Sequence, residues 1–126
     1  MIFLTLINIS IIELMKKAVL FIFISFLTYY KAYSQKVFSV NYSNRADIKV
    51  YVVKYENRAD LKVYKVEYEN QAQGNSGLWF FTKYENRAKK TIYFVKYENQ
   101  ADLKIYFVEY KNRAGWNDKS KMHLLY

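Results

Sequence analysis

The chain has 126 residues and a formal net charge of +9, with fourteen Tyr, nine Phe, no Cys and no Pro. Without Cys, and with His123 as its one histidine, it has neither disulfide staples nor a thiol nucleophile nor a zinc site of the Cys/His kind. A chain this short forms one small domain, whose aromatic residues are expected to supply the buried area that disulfides replace in other exported domains.

Residues 1–33 are almost uncharged and apolar. Within them Met15-Lys16-Lys17 reads as a positive n-region, residues 18–27 as an apolar h-region, and Ala32-Tyr33-Ser34 as a small-x-small cleavage site. This order predicts a helical export leader over residues 1–34. The signal peptide itself would run from Met15 to Ser34, with residues 1–14 an over-called start and Gln35 the first mature residue. The runner-up is an N-terminal membrane anchor. Lys16 and Lys17 oppose it, because they split the apolar run into pieces of about fourteen and thirteen residues, each short for a span. The expected location is therefore outside the cytoplasm, periplasmic or secreted. Cleavage would remove three lysines and one glutamate, so seventeen basic and ten acidic residues leave +7 on the 92 residues of 35–126.

A thirteen-residue unit fills that mature region. Its core, Tyr-Glu-Asn-Arg/Gln-Ala, begins at Tyr42, Tyr55, Tyr68, Tyr84, Tyr97 and Tyr110, with spacings of 13, 13, 16, 13 and 13. Such a unit is too small to bury its own apolar side chains and must pack on its neighbours. Numbering it from Val50 to Lys62, positions two, four and six (Tyr51, Val53, Tyr55, or Tyr93, Val95, Tyr97) are expected to share one face of a strand. The following Glu56–Asp60 has turn composition. Thirteen is odd, so an unbroken strand would flip its faces at each repeat, and one bend per repeat is required. The bend is assigned to the Asn-Arg/Gln-Ala step, since Asn tolerates left-handed angles and Ala permits close approach. Asn44, Asn57, Asn70, Asn86, Asn99 and Asn112 are thus expected to shape the backbone. The longer third interval, Gln73–Gly77, reads as one flexible loop dividing the array into halves. Residues 115–120 read as a second loop, and Lys121–Tyr126 as a short closing strand.

Chemistry is sparse. His123 has no Ser or Cys motif beside it, and Glu56/Asp60 or Glu98/Asp102 recur four apart without the Gly-bearing loop of a calcium site. No catalytic, cofactor or metal residue is therefore expected, and no enzyme. Arg45, Arg58, Arg87 and Arg113 occupy equivalent positions among the tyrosines and read as a candidate stripe for an anionic polymer, with cell-envelope polysaccharide or lipid headgroups preferred to nucleic acid. Two functions follow: an exported, non-catalytic structural or interaction domain of unknown partner, and alternatively a binding module for anionic glycans or other polyanions. They differ in whether the four Arg line one face with exposed Tyr or are spread and paired with Glu.

The six Tyr-x-Asn-Arg/Gln-Ala blocks, with Ala-Asp-Leu/Ile-Lys-Val/Ile-Tyr at Ala46–Tyr51, Ala59–Tyr64 and Ala101–Tyr106, resemble the septoil knot domain proteins over Val37–Tyr126. The resemblance implies a compact all-β domain threaded as a seven-crossing torus knot, an exception to the rule that connections do not thread one another. It brings no activity and no site residues. Threading would supply the constraint that the missing disulfides do not. The departures are Lys89-Lys90-Thr91 in place of Asp-Leu-Lys, and the Gly-rich insertion.

Overall fold

The computed structural model describes residues 2–29 and 34–126, and the chain divides into two compact units, residues 1–32 and 33–126. The first holds one helix, α1 (Ile2–Tyr29). Among the described residues no helix is long and apolar enough to cross a membrane; in α1 the apolar sequence is interrupted by Glu13, Lys16 and Lys17. Ala32 and Tyr33 of the expected cleavage site lie outside the described residues.

The second unit is a closed six-stranded barrel. Its strands are β1 (Lys36–Ser39), β2 (Ile48–Val52), β3 (Leu61–Lys65), β4 (Leu78–Phe81), β5 (Lys90–Phe94) and β6 (Leu103–Phe107). Their order is β4-β1-β5-β2-β6-β3, closed by a β3–β4 pairing, with every neighbour parallel. Strands of the first half of the array thus alternate round the barrel with strands of the second. A short β7 (Gly115–Trp116) lies antiparallel on the start of β3.

Parallel neighbours ordinarily need a long crossover to return the chain to the starting end. Here no return is needed, because each strand begins level with the end of its predecessor: Ile92 pairs with Ser39 of β1 on one side and Ile48 of β2 on the other, and Ile105 likewise joins Val52 to Leu61. The connection passes over the strand between. Val40 N–H donates to the Ile92 carbonyl and Asp47 N–H to the Thr91 carbonyl. Consecutive strand carbonyls point to opposite edges, so residues 41–46 cross the outer face of β5. Val53 and Asp60 straddle β6 in the same way through Ile105 and Lys104, Thr82 and Lys89 straddle β1 through Val37 and Lys36, and Val95 and Asp102 straddle β2 through Val50 and Lys49. Each half of the array is strapped over the strands of the other.

Each strap contains a single 3-10 turn, numbered 1 to 6 in chain order: Ser43–Arg45, Glu56–Arg58, Glu69–Gln71, Glu85–Arg87, Glu98–Gln100 and Lys111–Arg113. The once-per-repeat bend falls where it was expected, but not for the reason given. No non-glycine described residue has a positive φ, so every Asn takes ordinary right-handed angles at the centre of its turn. The following Ala, extended after every turn but the third, donates its N–H to the first carbonyl of the turn. The odd repeat length is absorbed at the strand end. Burial steps by three, from Val50 to Val53, Val63 to Val66 and Ile105 to Val108, instead of by two. Positions two, four and six consequently do not share a face. The inner face belongs to positions twelve and one (Ile48 and Val50, Leu61 and Val63, Leu103 and Ile105), while Tyr51 is half-buried, Val53 buried and Tyr55 in solvent.

The core comprises Val37, Ile48, Val50, Leu61, Val63, Trp79, Ile92, Leu103 and Ile105, closed by Leu125. Trp79 is the only aromatic side chain in it that is fully buried, so aliphatic burial, at about 1.5–3 kcal/mol per side chain, carries the load expected of the aromatics. Residues 119–125 are a 3-10 helix, not the expected strand. Asp118 caps it by accepting from Ser120 N–H, and Leu124 and Leu125 both pack toward the core, which adjacent residues of a strand cannot do. The glycine loop is pinned, not free: Asn75 donates to the Met122 carbonyl and accepts from Trp116 Nε1. At Gly77, φ is +91° and a Cβ would lie 2.3 Å from the Lys62 carbonyl oxygen.

Candidate interaction surface

The straps form a belt round the outside of the barrel, and three sets of side chains on it have distinct tasks. The first is the Asp at position eleven. Asp60 N–H donates to the Lys104 carbonyl at 2.7 Å while its Oδ2 accepts from Lys104 N–H at 2.9 Å. Asp102 grips Lys49 with the same pair of bonds, and Asp47 grips Thr91. The carboxylate therefore imitates a strand carbonyl, satisfying an amide that the parallel ladder leaves open at the crossing. Asp60 is 7% exposed and is also held by Lys121 Nζ at 2.9 Å. Sequence reasoning places Asp60 in a turn and sets aside a calcium pair at Asp60 and Asp102; the recurrence of Asp just before Leu/Ile-Lys was the available signal for the strand grip.

The second set joins neighbouring turns, which follow the strand order round the barrel. Arg45 of turn 1 reaches Glu85 of turn 4 at 2.9 Å, Arg113 of turn 6 reaches Glu56 of turn 2 at 2.6 Å, and Arg58 of turn 2 pairs with Glu98 of turn 5 at 3.6 Å. Between turns 4 and 3, the Glu69 carboxyl is held below its usual range by the hydrogen bond from Lys36 and, more weakly, by the charges of Lys36 and Arg87. All four steps run the same way round the ring. The remaining two lead from turn 3 to turn 6 and from turn 5 to turn 1, where position nine is Gln71 and Gln100 and the facing position seven is Lys111 and Ser43. Arg stands where the next turn offers Glu; Gln stands where it does not. The four predicted guanidiniums are thus distributed round the barrel: Arg45, Arg58 and Arg113 pair with carboxylates and Arg87 lies over the Tyr84 ring, instead of forming one cationic stripe.

The third set is Tyr and Asn. Tyr42, Tyr55, Tyr68, Tyr84, Tyr97 and Tyr110 are 57–66% exposed. Asn44, Asn57, Asn70, Asn86, Asn99 and Asn112 are exposed too, and their side-chain amides make no hydrogen bond among the described residues. Only Tyr84 and Tyr97 have a cation against the ring there, from Arg87 at 5.8 Å and Lys96 at 5.7 Å. A cleft of about 440 Å³ opens at turn 2, lined by Tyr55, Glu56, Asn57, Lys62 and Asn117. His123 is exposed with Nδ1 2.9 Å from the Ser120 carbonyl, and no group of three or more His, Asp or Glu converges among the described residues.

A family model described as 7(1) septoil knot domain matches residues 34–117, two-thirds of the chain. The chain belongs to that family. No curated protein and no solved structure matches it. The matched region of this septoil knot domain runs from two residues before β1 to just past β7, so it takes in all six straps and leaves out the closing 3-10 helix.

Proposed function

We propose that residues 35–126 are an exported, non-catalytic interaction domain whose backbone is threaded as a seven-crossing torus knot. The observation that carries the reading is the belt. Asp47, Asp60 and Asp102 grip the strands and three Arg pair with Glu on the next turn, while the repeated Tyr and Asn are turned to solvent with no such partner among the described residues. The strapping of each half over the strands of the other supports the knot, since a two-stranded torus knot is two segments wound alternately about one another. The n-region, h-region and small-x-small order supports export, with Gln35 as the first residue after processing.

The polyanion alternative rests on the net charge of +7 and on the four repeat guanidiniums, and pairing of three of them with Glu weakens its second support. Its test is a binding series on the processed protein with heparin, polygalacturonate, anionic vesicles and nucleic acid. Weak binding that disappears alike for every polyanion by about 150 mM salt, where the Debye length is about 8 Å, is the expected result. Selective binding that survives would replace this reading with the polyanion module. The knot is tested separately: refolding from denaturant is expected to be much slower than for an unthreaded β-domain of this length, and equal rates would remove it.

A further inference from the structure

Four of the positions that vary have a structural account. Position one carries Val37, Val50, Val63, Trp79, Ile92 and Ile105, which fill the core. Positions seven and nine vary together, as the Arg–Glu and Gln–Lys or Gln–Ser steps round the ring require. Position eleven is Asp at the crossings where a carboxylate grips the strand amide. Three positions are the same in all six copies: Tyr, Asn and Ala. The Ala ends each turn and is buried or half-buried. Tyr and Asn have no such reason, for the turn uses only the Tyr backbone, whose carbonyl accepts from position nine, and any residue can occupy the Asn angles.

Buried positions ordinarily hold identity while exposed ones drift; here two exposed positions hold while the core drifts. We infer that the six Tyr–Asn pairs are a repeated binding surface for an uncharged, hydroxyl-rich polysaccharide, an inference that rests on the interaction-domain reading. Tyr gives a rigid apolar face with a hydroxyl at its edge and little conformational freedom to lose, and Asn gives a donor and an acceptor on one short arm. Those are the groups that meet a sugar ring, whose C–H face stacks and whose hydroxyls both give and take hydrogen bonds. The pairs encircle the barrel, so one globular partner would cover only some of them; a polymer of repeating chemistry can engage several, multiplying weak contacts into avidity. Three of the belt's four repeat guanidiniums face carboxylates, which points away from a charged polymer.

The test uses the processed protein on immobilised neutral polysaccharides (β-glucan, dextran, xylan, mannan) and acidic ones (alginate, polygalacturonate), at 50 and 500 mM NaCl. Tyr42, Tyr68 and Tyr84 lie on three successive turns of the ring, and a triple Tyr→Ala variant is compared with Asn57→Ala and with Tyr→Phe at the same three sites. The expected result is binding to at least one neutral polysaccharide that changes less than twofold between the salts. It should fall tenfold or more in the Tyr→Ala triple and two- to fivefold in Asn57→Ala, persist in the Tyr→Phe triple, and leave the melting temperature within about 2 °C throughout. Binding to acidic polymers alone, steeply lost with salt, would overturn the sugar inference and leave an interaction domain. Binding to neither class would overturn the inference and remove support from the interaction reading with it. A Tyr→Ala triple that melts far lower while binding per folded molecule is unchanged would assign the tyrosines to the fold and overturn the inference as well.

Discussion

At position one, on the inner wall of the barrel, the copies carry Val, Ile or Trp, whereas at position eight, on the belt, all six carry Asn. The wall asks only for apolar volume, and an interior tolerates exchanges that preserve it. Trp79 follows the glycine insertion, and its bulk occupies the barrel where the third turn hands over to the second half. The belt obeys a different rule: its paired Arg, Glu and Asp are each matched to one neighbour, while its Tyr and Asn stay constant in solvent. The wall therefore supplies stability, and the belt supplies pairing order and contact chemistry.

The sharpest break of this comparison is in the wall. Trp79→Ala should cost about 3–5 kcal/mol, read as a fall in the urea midpoint, whereas Tyr55→Ala on the belt should stay within about 0.5 kcal/mol of the parent. Next comes the seam between wall and belt. Gly77→Ala places a Cβ 2.3 Å from the Lys62 carbonyl at φ +91°, and strain of about 1–3 kcal/mol should appear, with loss of exchange protection at Tyr64, whose N–H donates to the Gly77 carbonyl. Asp60→Ala should follow, at about 1–3 kcal/mol, because the Lys104 amide loses its acceptor. Its signature is faster hydrogen exchange at Lys104 than in Asp60→Asn, which keeps a carbonyl there.

The smallest effect is that of acid. The Glu69 carboxyl is lowered by its Lys36 hydrogen bond, and Asp118 by hydrogen bonds from the Ser120 side chain and amide. A carboxylate depressed in the folded state contributes stability that is present above its unfolded pKa and is lost as pH falls through the folded value. The melting temperature should therefore fall modestly below about pH 4, and Glu69→Gln should reduce that slope. An unchanged slope would detach the Glu69–Lys36 pair from stability.

The repeat itself, its turns and the need for one bend per copy were legible because they follow from spacing and composition. The strand face was not. Alternation reasoning assumes a step of two throughout, and the step of three between Val50 and Val53 shifted Tyr55 out to solvent. The closing segment was misread for a related reason: Leu124-Leu125 at the end of a short polar stretch has no period from which helix and strand can be told apart. The belt's logic was hidden because it is relational. Arg and Gln at position nine look interchangeable until strand order sets Gln71 opposite Lys111 and Gln100 opposite Ser43. No local pattern specifies that β1 lies between β4 and β5, and without that order the aspartates read as turn residues and the arginines as a stripe.

The order of turns round the belt is tested most directly at the step from turn 3 to turn 6, where no ion pair exists in the parent. Gln71→Arg alone sets a guanidinium toward Lys111, and Lys111→Glu alone sets a carboxylate toward Gln71. Together they complete the missing step. A double-mutant cycle on urea midpoints should show a favourable coupling of about 0.2–1 kcal/mol, as for other exposed pairs, shrinking as salt rises. Strictly additive single substitutions at low salt would mean that turns 3 and 6 are not neighbours, and the interleaved order of the two halves would be contradicted.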